Sequence, residues 1–133
     1  MNEILKYNIS DTLNILRKRE ISVFELTKLY ISAIEQTQNL NMYLEVSQKK
    51  ALSMAKICDE NYKNKTFRSL EGIPIGVKDM FCTNGEKTTA SSKILENFQP
   101  TYESTVTKNL WDNGAVQLGK LSCDEFAMGS SNE

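Results

Sequence analysis

Residues 70–79 read Leu70-Glu71-Gly72-Ile73-Pro74-Ile75-Gly76-Val77-Lys78-Asp79, the pattern of a strand that ends in a lysine. Side chains two positions apart lie on the same face of a strand. One face therefore carries the branched apolar side chains of Ile73, Ile75 and Val77. The other face carries Pro74 and Gly76, which are small, and then Lys78. We expect this strand to lie at the centre of the fold.

Lys78 is the residue in this stretch whose position needs an explanation. Burial beside small neighbours favours the neutral form of an ammonium group, and a neutral lysine can act as a base. The alternative is a strand-end lysine that extends into water or pairs with Asp79. This stretch by itself leaves both interpretations open.

The first half of the chain predicts two helices, a short strand and a third helix. Ser10 and Asp11 offer an N-cap for the first helix, and residues 22–25, Ser-Val-Phe-Glu, form a capping box for the second. Residues 42–46 alternate as a strand, after which Ser47 can cap a helix that continues toward Tyr62.

The second half predicts further strands separated by a helix. Residues 80–83 could extend the central strand, and Asn84-Gly85 is a turn signal. A helix follows Ser104 and is stopped by Asn113-Gly114, and residues 115–119 read as a buried strand. Alternating helices and strands predict an α/β fold in which the last two strands are parallel neighbours.

The composition excludes several functional classes. A net charge of −1 gives no electrostatic footprint for nucleic acid. These residues include no histidine, which rules out a Ser-His-Asp triad or an HExxH zinc site built from them. The three cysteines are widely spaced without a CxxC pair, so reduced thiols and no metal site are expected. With no secretory signal and no apolar run of membrane-spanning length, we expect a cytoplasmic protein without membrane contact.

A second glycine-rich stretch, residues 114–120, has the spacing of a phosphate-binding loop. Leu121 stands where such a loop needs a hydroxyl residue, so no nucleotide site is predicted. Lys120 is then a strand-end lysine that could touch a site. Gly129, Ser130 and Ser131 could offer hydroxyls and backbone donors to a polar substrate, although such residues are usually turns.

Three segments together resemble the amidase signature family: residues 70–79, residues 114–120, and Asp124-Glu125-Phe126-Ala127-Met128-Gly129-Ser130-Ser131. Within that family they look most like the glutamine-hydrolysing subunits of tRNA-dependent amidotransferases. The resemblance implies the N-terminal portion of the amidase signature fold: a helical start followed by a mixed sheet flanked by helices. We expect a helical region with one short strand over residues 1–69 and the start of the amidase core over residues 70–133.

The resemblance also implies catalytic roles. Members of the family use a nucleophilic serine, a second serine after a cis peptide bond, and a lysine as base, and the lysine carries over onto Lys78. The two serines of the family pattern would follow Glu133, so residues 1–133 alone are expected to be inactive. Met128, Gly129 and Ser130 carry over to the substrate side of the site.

Partners and cofactors are likewise implied by the resemblance. Glutamine would be the substrate, and B and C subunits would complete a heterotrimer. The tRNA would be reached through the B subunit, which would also use ATP and magnesium, so no cofactor is expected on this segment.

Two other interpretations stay open. One is a general amidase that acts on another amide. The other is a non-catalytic interaction module, or a relic, in which the helical half binds a partner and Lys78 has lost its role. A full-length member of the family is several times longer than 133 residues, which favours a segment of a larger protein.

Overall fold

The computed structural model describes residues 3–130, in which helices and strands alternate as the sequence predicts. The four α-helices of this part of the chain are α1 (Ile9–Arg17), α2 (Val23–Gln36), α3 (Gln48–Lys63) and α4 (Thr105–Asp112). Its three strands are β1 (Tyr43–Val46), β2 (Pro74–Lys78) and β3 (Val116–Leu121). The predicted α/β class is confirmed.

The strands form one mixed sheet with β3 in the centre. β2 pairs with β3 in parallel, which confirms the prediction for the last two strands, and β1 pairs with β3 antiparallel on the other side. In the parallel pair Lys78 lies opposite Leu121. The strand that ends in Lys78 and the loop that follows β3 therefore leave the sheet at the same edge.

The ends of the first two helices follow local side-chain chemistry. Asn8, and not Ser10, caps α1, because the Asn8 Oδ1 atom accepts a hydrogen bond from the Asp11 backbone N–H at 2.9 Å. The capping box of α2 is confirmed, with Ser22 Oγ and Glu25 Oε2 each accepting from the other residue's backbone N–H. Both caps satisfy N–H groups that a helix leaves without intrahelical partners.

Later boundaries differ from the sequence prediction at two places. Ser47 does precede α3, but its hydroxyl makes no capping hydrogen bond and is buried. Residues 80–83 do not extend β2, because the Phe81 N–H donates to the Lys78 carbonyl at 3.1 Å and turns the chain away from the sheet. The turn at Asn84-Gly85 and the helix after Ser104 are as predicted, and Ser104 is the N-cap of α4.

The apolar core lies between the sheet and the helices α2 and α3. Its buried side chains come from both the first and the second half of the chain: Leu16, Val23, Leu26, Ile31, Ile34, Ala51, Ala55, Cys58, Tyr62, Val116 and Leu118. The division into regions 1–69 and 70–133 stays a prediction.

A buried ion pair fixes the start of β2. The Glu71 carboxylate is fully buried and accepts hydrogen bonds from Arg68 Nε at 2.7 Å, Arg68 Nη2 at 2.9 Å and Asn61 Nδ2 at 2.9 Å. Burial raises the pKa of this carboxyl, but the hydrogen bonds from Arg68 and Asn61 outweigh burial and lower the pKa to about 2. Arg68 also donates to the Trp111 carbonyl at the end of α4, so one pair joins α3, β2 and α4.

Within residues 3–130, no helix combines the length and the apolar character that crossing a bilayer requires.

Candidate active site

Lys78 is an exposed side chain at the carboxyl end of β2. Within residues 3–130 its ammonium group has no hydrogen-bond or ion-pair partner. Behind it, Gly76 leaves room for the neighbouring strands: a Cβ atom there would lie 2.9 Å from both the Tyr43 hydroxyl and Leu121 Cδ1. The sequence left open whether Lys78 is desolvated or extends into water. Within residues 3–130 its side chain is exposed, which agrees with the second interpretation.

Asp79 does not pair with Lys78, although it is the next residue. Its carboxylate is buried and turns toward the loop that follows, where Oδ2 accepts from Thr89 Oγ1 at 2.5 Å and from the Thr89 N–H at 3.0 Å. The other oxygen, Oδ1, lies 3.6 Å from the ammonium of Lys120. Asp79 therefore joins the end of β2 to both the loop and β3.

Lys120 on β3 is the desolvated lysine of this region, with a side chain only 1% exposed. Its ammonium donates to the Phe81 carbonyl at 2.6 Å, to Thr88 Oγ1 at 3.0 Å and to Thr83 Oγ1 at 3.2 Å. Burial lowers the pKa of Lys120, while the nearby Asp79 carboxylate opposes that change. The burial that one of the two interpretations places at Lys78 is found at Lys120.

An irregularity in the sheet explains how Lys120 reaches this loop. Strict alternation would place Gln117 and Lys120 on opposite faces of β3. The register between β2 and β3 shifts after Ile75, which pairs with Gln117, so that Gly76 pairs with Gly119. Both polar side chains then face the loop 79–104, where Gln117 Nε2 donates to Glu86 at 2.5 Å. Sequence reasoning could have found the pair from two polar residues in an otherwise apolar strand.

The loop after β3 is held against the turn at residues 89–92. The Cys123 N–H donates to Ser91 Oγ at 3.0 Å, the Phe126 N–H donates to the Ala90 carbonyl at 2.9 Å, and Ser92 Oγ donates to Glu125 at 2.5 Å. The two segments that leave the sheet beside Lys78 thus form one packed unit.

Met128, Gly129 and Ser130 end this loop and are all exposed. Gly129 packs against the Asp124 side chain, which leaves no room for a Cβ atom. Ser131 lies outside the described residues. The loop that carries residues 128–130 leaves the sheet at the edge where β2 ends in Lys78. No hydrogen bond or ion pair joins Lys78 to these residues within residues 3–130.

An open cavity of about 300 Å³ lies beside the buried network and is lined in part by Asp79, Thr89, Ser91, Lys93 and Lys120. Across the described range 3–130, no three acidic or cysteine side chains lie close enough together to hold a metal ion. The side chains that line the cavity include lysines, hydroxyl groups and the buried Asp79 carboxylate.

The amidase family model matches residues 25–133 of the chain. The chain belongs to the amidase family. Its relatives include the A subunits of two glutamyl-tRNA(Gln) amidotransferases. The one from Beijerinckia indica is 50% identical over 133 residues, and the one from Caulobacter vibrioides is 57% identical over 118 residues. These alignments cover 100% and 89% of this chain.

Solved amidases share the fold described above. A peptide amidase bound to the competitive inhibitor chymostatin superimposes with a TM-score of 0.89 at 26% identity, over 94% of this chain. The native peptide amidase of Stenotrophomonas maltophilia gives a TM-score of 0.85 at 27% identity, over 90% of this chain. The chain spans only about a quarter of these amidases, and 27% and 24% of the two amidotransferase relatives.

Proposed function

We propose that this chain is the N-terminal segment of the glutamine-hydrolysing subunit of a glutamyl-tRNA(Gln) amidotransferase. The observation that carries the proposal is the similarity to relatives of that name, among them one that is 50% identical across the whole chain. The exposed position of Lys78 at the carboxyl end of β2 supports it, because ligands of α/β sheets gather at that edge.

In the proposed mechanism Lys78 is the base at the end of a serine relay. A serine hydroxyl from the rest of the amidase fold adds to the side-chain amide carbon of glutamine, and its proton passes through the second serine to Lys78. The carbon–nitrogen bond then breaks, and the proton held by Lys78 goes to the leaving ammonia. Water hydrolyses the resulting acyl-enzyme to glutamate.

Residues 128–130 take the substrate side of the proposed site. The hydrogen bonds between residues 89–92 and 123–126 hold this loop at the edge from which Lys78 emerges. Since residues 1–133 supply the base but neither serine, we propose that they do not hydrolyse glutamine by themselves.

The rest of the reaction belongs to partner subunits in this proposal. Ammonia passes to a B subunit, where glutamate on misacylated tRNA, activated with ATP and Mg²⁺, becomes glutamine. A small C subunit stabilises the pair, and this segment binds no cofactor of its own. A cytoplasmic location stays a prediction.

A general amidase is the second candidate, favoured by the close superposition on peptide amidases. The higher identity to amidotransferase subunits, 57% against 27%, ranks it below the first proposal.

A hybrid subunit tests the proposal directly. It consists of residues 1–133 of this chain followed by the part of the Caulobacter vibrioides relative beyond the aligned region, combined with the B and C subunits of that organism. We expect glutamine hydrolysis and conversion of glutamyl-tRNA(Gln) to glutaminyl-tRNA(Gln). Hydrolysis of peptide amides without transfer to tRNA would favour the general amidase, and an inert hybrid that still assembles would favour a non-catalytic module.

A further inference from the structure

Within residues 3–130, the hydrogen-bond and ion-pair partners of the buried Lys120 ammonium all follow Lys78 in the chain. Its acceptors are Phe81, Thr83 and Thr88, and the Asp79 carboxylate lies 3.6 Å away. All of these belong to the ten residues after Lys78. One side chain of β3 therefore holds the whole segment into which β2 continues.

Burying this charge does not favour the fold by itself. Removing an ammonium and a carboxylate from water is unfavourable, and apolar replacements of buried ion pairs are often neutral or stabilising. The groups around Lys120 nevertheless provide an acceptor for each of its three N–H bonds. Such a fully satisfied arrangement fixes one geometry of the surrounding backbone.

The turn that this network holds is also strained. Ala90 and Ser91 adopt backbone φ values of 48° and 53°, which residues other than glycine rarely adopt. Asp79 stabilises the turn by accepting from both Thr89 donors, and its own carbonyl accepts from the Ala90 N–H at 2.9 Å. Strain of this kind persists only where the surrounding contacts determine the backbone conformation.

We propose that Lys120 is a positioning residue that fixes the direction in which Lys78 leaves the sheet. Lys78 itself has no partner within residues 3–130, so its placement depends on the backbone on either side. On one side β2 is paired with β3, and on the other the Lys120 ammonium binds Phe81, Thr83 and Thr88. This inference rests on the proposed role of Lys78 as a base.

The test separates the hydrogen bond of the network from its packing. In the hybrid subunit, Thr88→Val keeps the shape of the side chain and removes the acceptor, while Thr88→Ser keeps the acceptor and removes a methyl group. We expect Thr88→Val to lower kcat for glutamine by about tenfold, since small misplacements of a reacting group cost that much or more. KM should stay within about twofold, because the Thr88 side chain is buried and binds the Lys120 ammonium. Thr88→Ser should keep kcat.

The matched control is Thr12→Val, which removes a hydroxyl that is equally buried, at 4% exposure, on α1. It should change neither kcat nor KM. Lys120→Met removes the ammonium itself and should lower kcat by about a hundredfold. Rates are divided by the concentration of folded protein. If Lys120→Met does not fold, the comparison of Thr88→Val with Thr88→Ser tests the positioning role.

An unchanged kcat in Thr88→Val, or an equal loss in Thr88→Ser, would overturn the positioning role. Lys78→Ala in the same assay distinguishes this failure from that of the proposed function. If Lys78→Ala is inactive while Thr88→Val is fully active, Lys78 keeps its proposed role as the base and only the positioning role of Lys120 is refuted. If Lys78→Ala hydrolyses glutamine at the unchanged rate, both proposals fail.

Discussion

Replacing Glu71 by glutamine removes the charge from the buried pair that fixes the start of β2. The new side chain would have nearly the same shape, but its amide group would face N–H donors of Arg68 or Asn61 that now bind carboxylate oxygens. Because the side chain of Glu71 is completely buried, solvent screens this interaction little.

The size of the effect follows from the pKa of Glu71. A carboxyl whose pKa falls from the ordinary 4.5 to about 2 favours the folded state by roughly 3 kcal/mol when ionised. Removing one partner of a buried ion pair costs a similar amount, about 3–5 kcal/mol. We therefore expect Glu71→Gln to lower the free energy of unfolding at pH 7 by about 3 kcal/mol.

The dependence on pH makes this prediction specific. A lowered pKa in the folded state means that the stabilisation is complete above the pKa of the unfolded chain and is lost as the pH falls toward 2. The difference between the wild-type protein and Glu71→Gln should be full at pH 5 and above, and should nearly vanish at pH 2.

Urea unfolding of the 133-residue chain, followed by the fluorescence of Trp111, measures this difference. Trp111 is the single tryptophan of the chain, and its carbonyl accepts a hydrogen bond from Arg68. The control is Glu60→Gln on α3, which removes an exposed pair with Lys63 and should cost less than about 0.5 kcal/mol. A loss at Glu71 below about 1 kcal/mol, or a difference that does not change between pH 5 and pH 2, would refute the reasoning.

Three further predictions concern the fold. Asp59→Ala should lower the free energy of unfolding by about 1–2 kcal/mol, because both Asp59 oxygens accept backbone N–H groups at the start of α2; an unchanged urea midpoint would contradict this. Gly114→Ala should lower the free energy of unfolding by more than about 2 kcal/mol, since φ is +94° and the new Cβ would lie 2.8 Å from Glu71 Cα. Gly85→Ala, at φ +75° in open space, should lower it by about 1 kcal/mol. Equal losses of stability in thermal unfolding would count against a role for the close approach at Gly114. Cys58 should resist iodoacetamide at pH 8 until the protein unfolds, because burial raises the pKa of its thiol to about 12, and rapid labelling detected by mass spectrometry would contradict its burial.

Much of the fold is predictable because its signals are local. The capping box at Ser22, the apolar period of α2 and the Asn113-Gly114 stop each act within a few residues. The choice of Asn8 over Ser10 as the cap of α1 shows the limit, since both residue types are good caps and only the geometry selects one.

The candidate site was less accessible to sequence reasoning. Lys78 stands out because it ends a recognisable strand, but its exposure depends on what lies around it in three dimensions. The burial of Lys120 results from a register shift between two strands and from acceptors located 32–39 residues earlier in the chain. Two polar residues in an otherwise apolar strand, Gln117 and Lys120, are the local signal in the sequence; the register shift and the distant contacts leave none.

The central claim is that this chain supplies the base of a glutamine-hydrolysing site. Its most direct test is the rate of glutamate release from glutamine by the hybrid subunit with Lys78→Ala, compared with Lys49→Ala, an exposed lysine in the first turn of α3. We expect Lys78→Ala to abolish the activity, Lys49→Ala to keep it, and both variants to keep the thermal stability of the unmodified hybrid. Glutamate release by Lys78→Ala at the rate of the unmodified hybrid would contradict it.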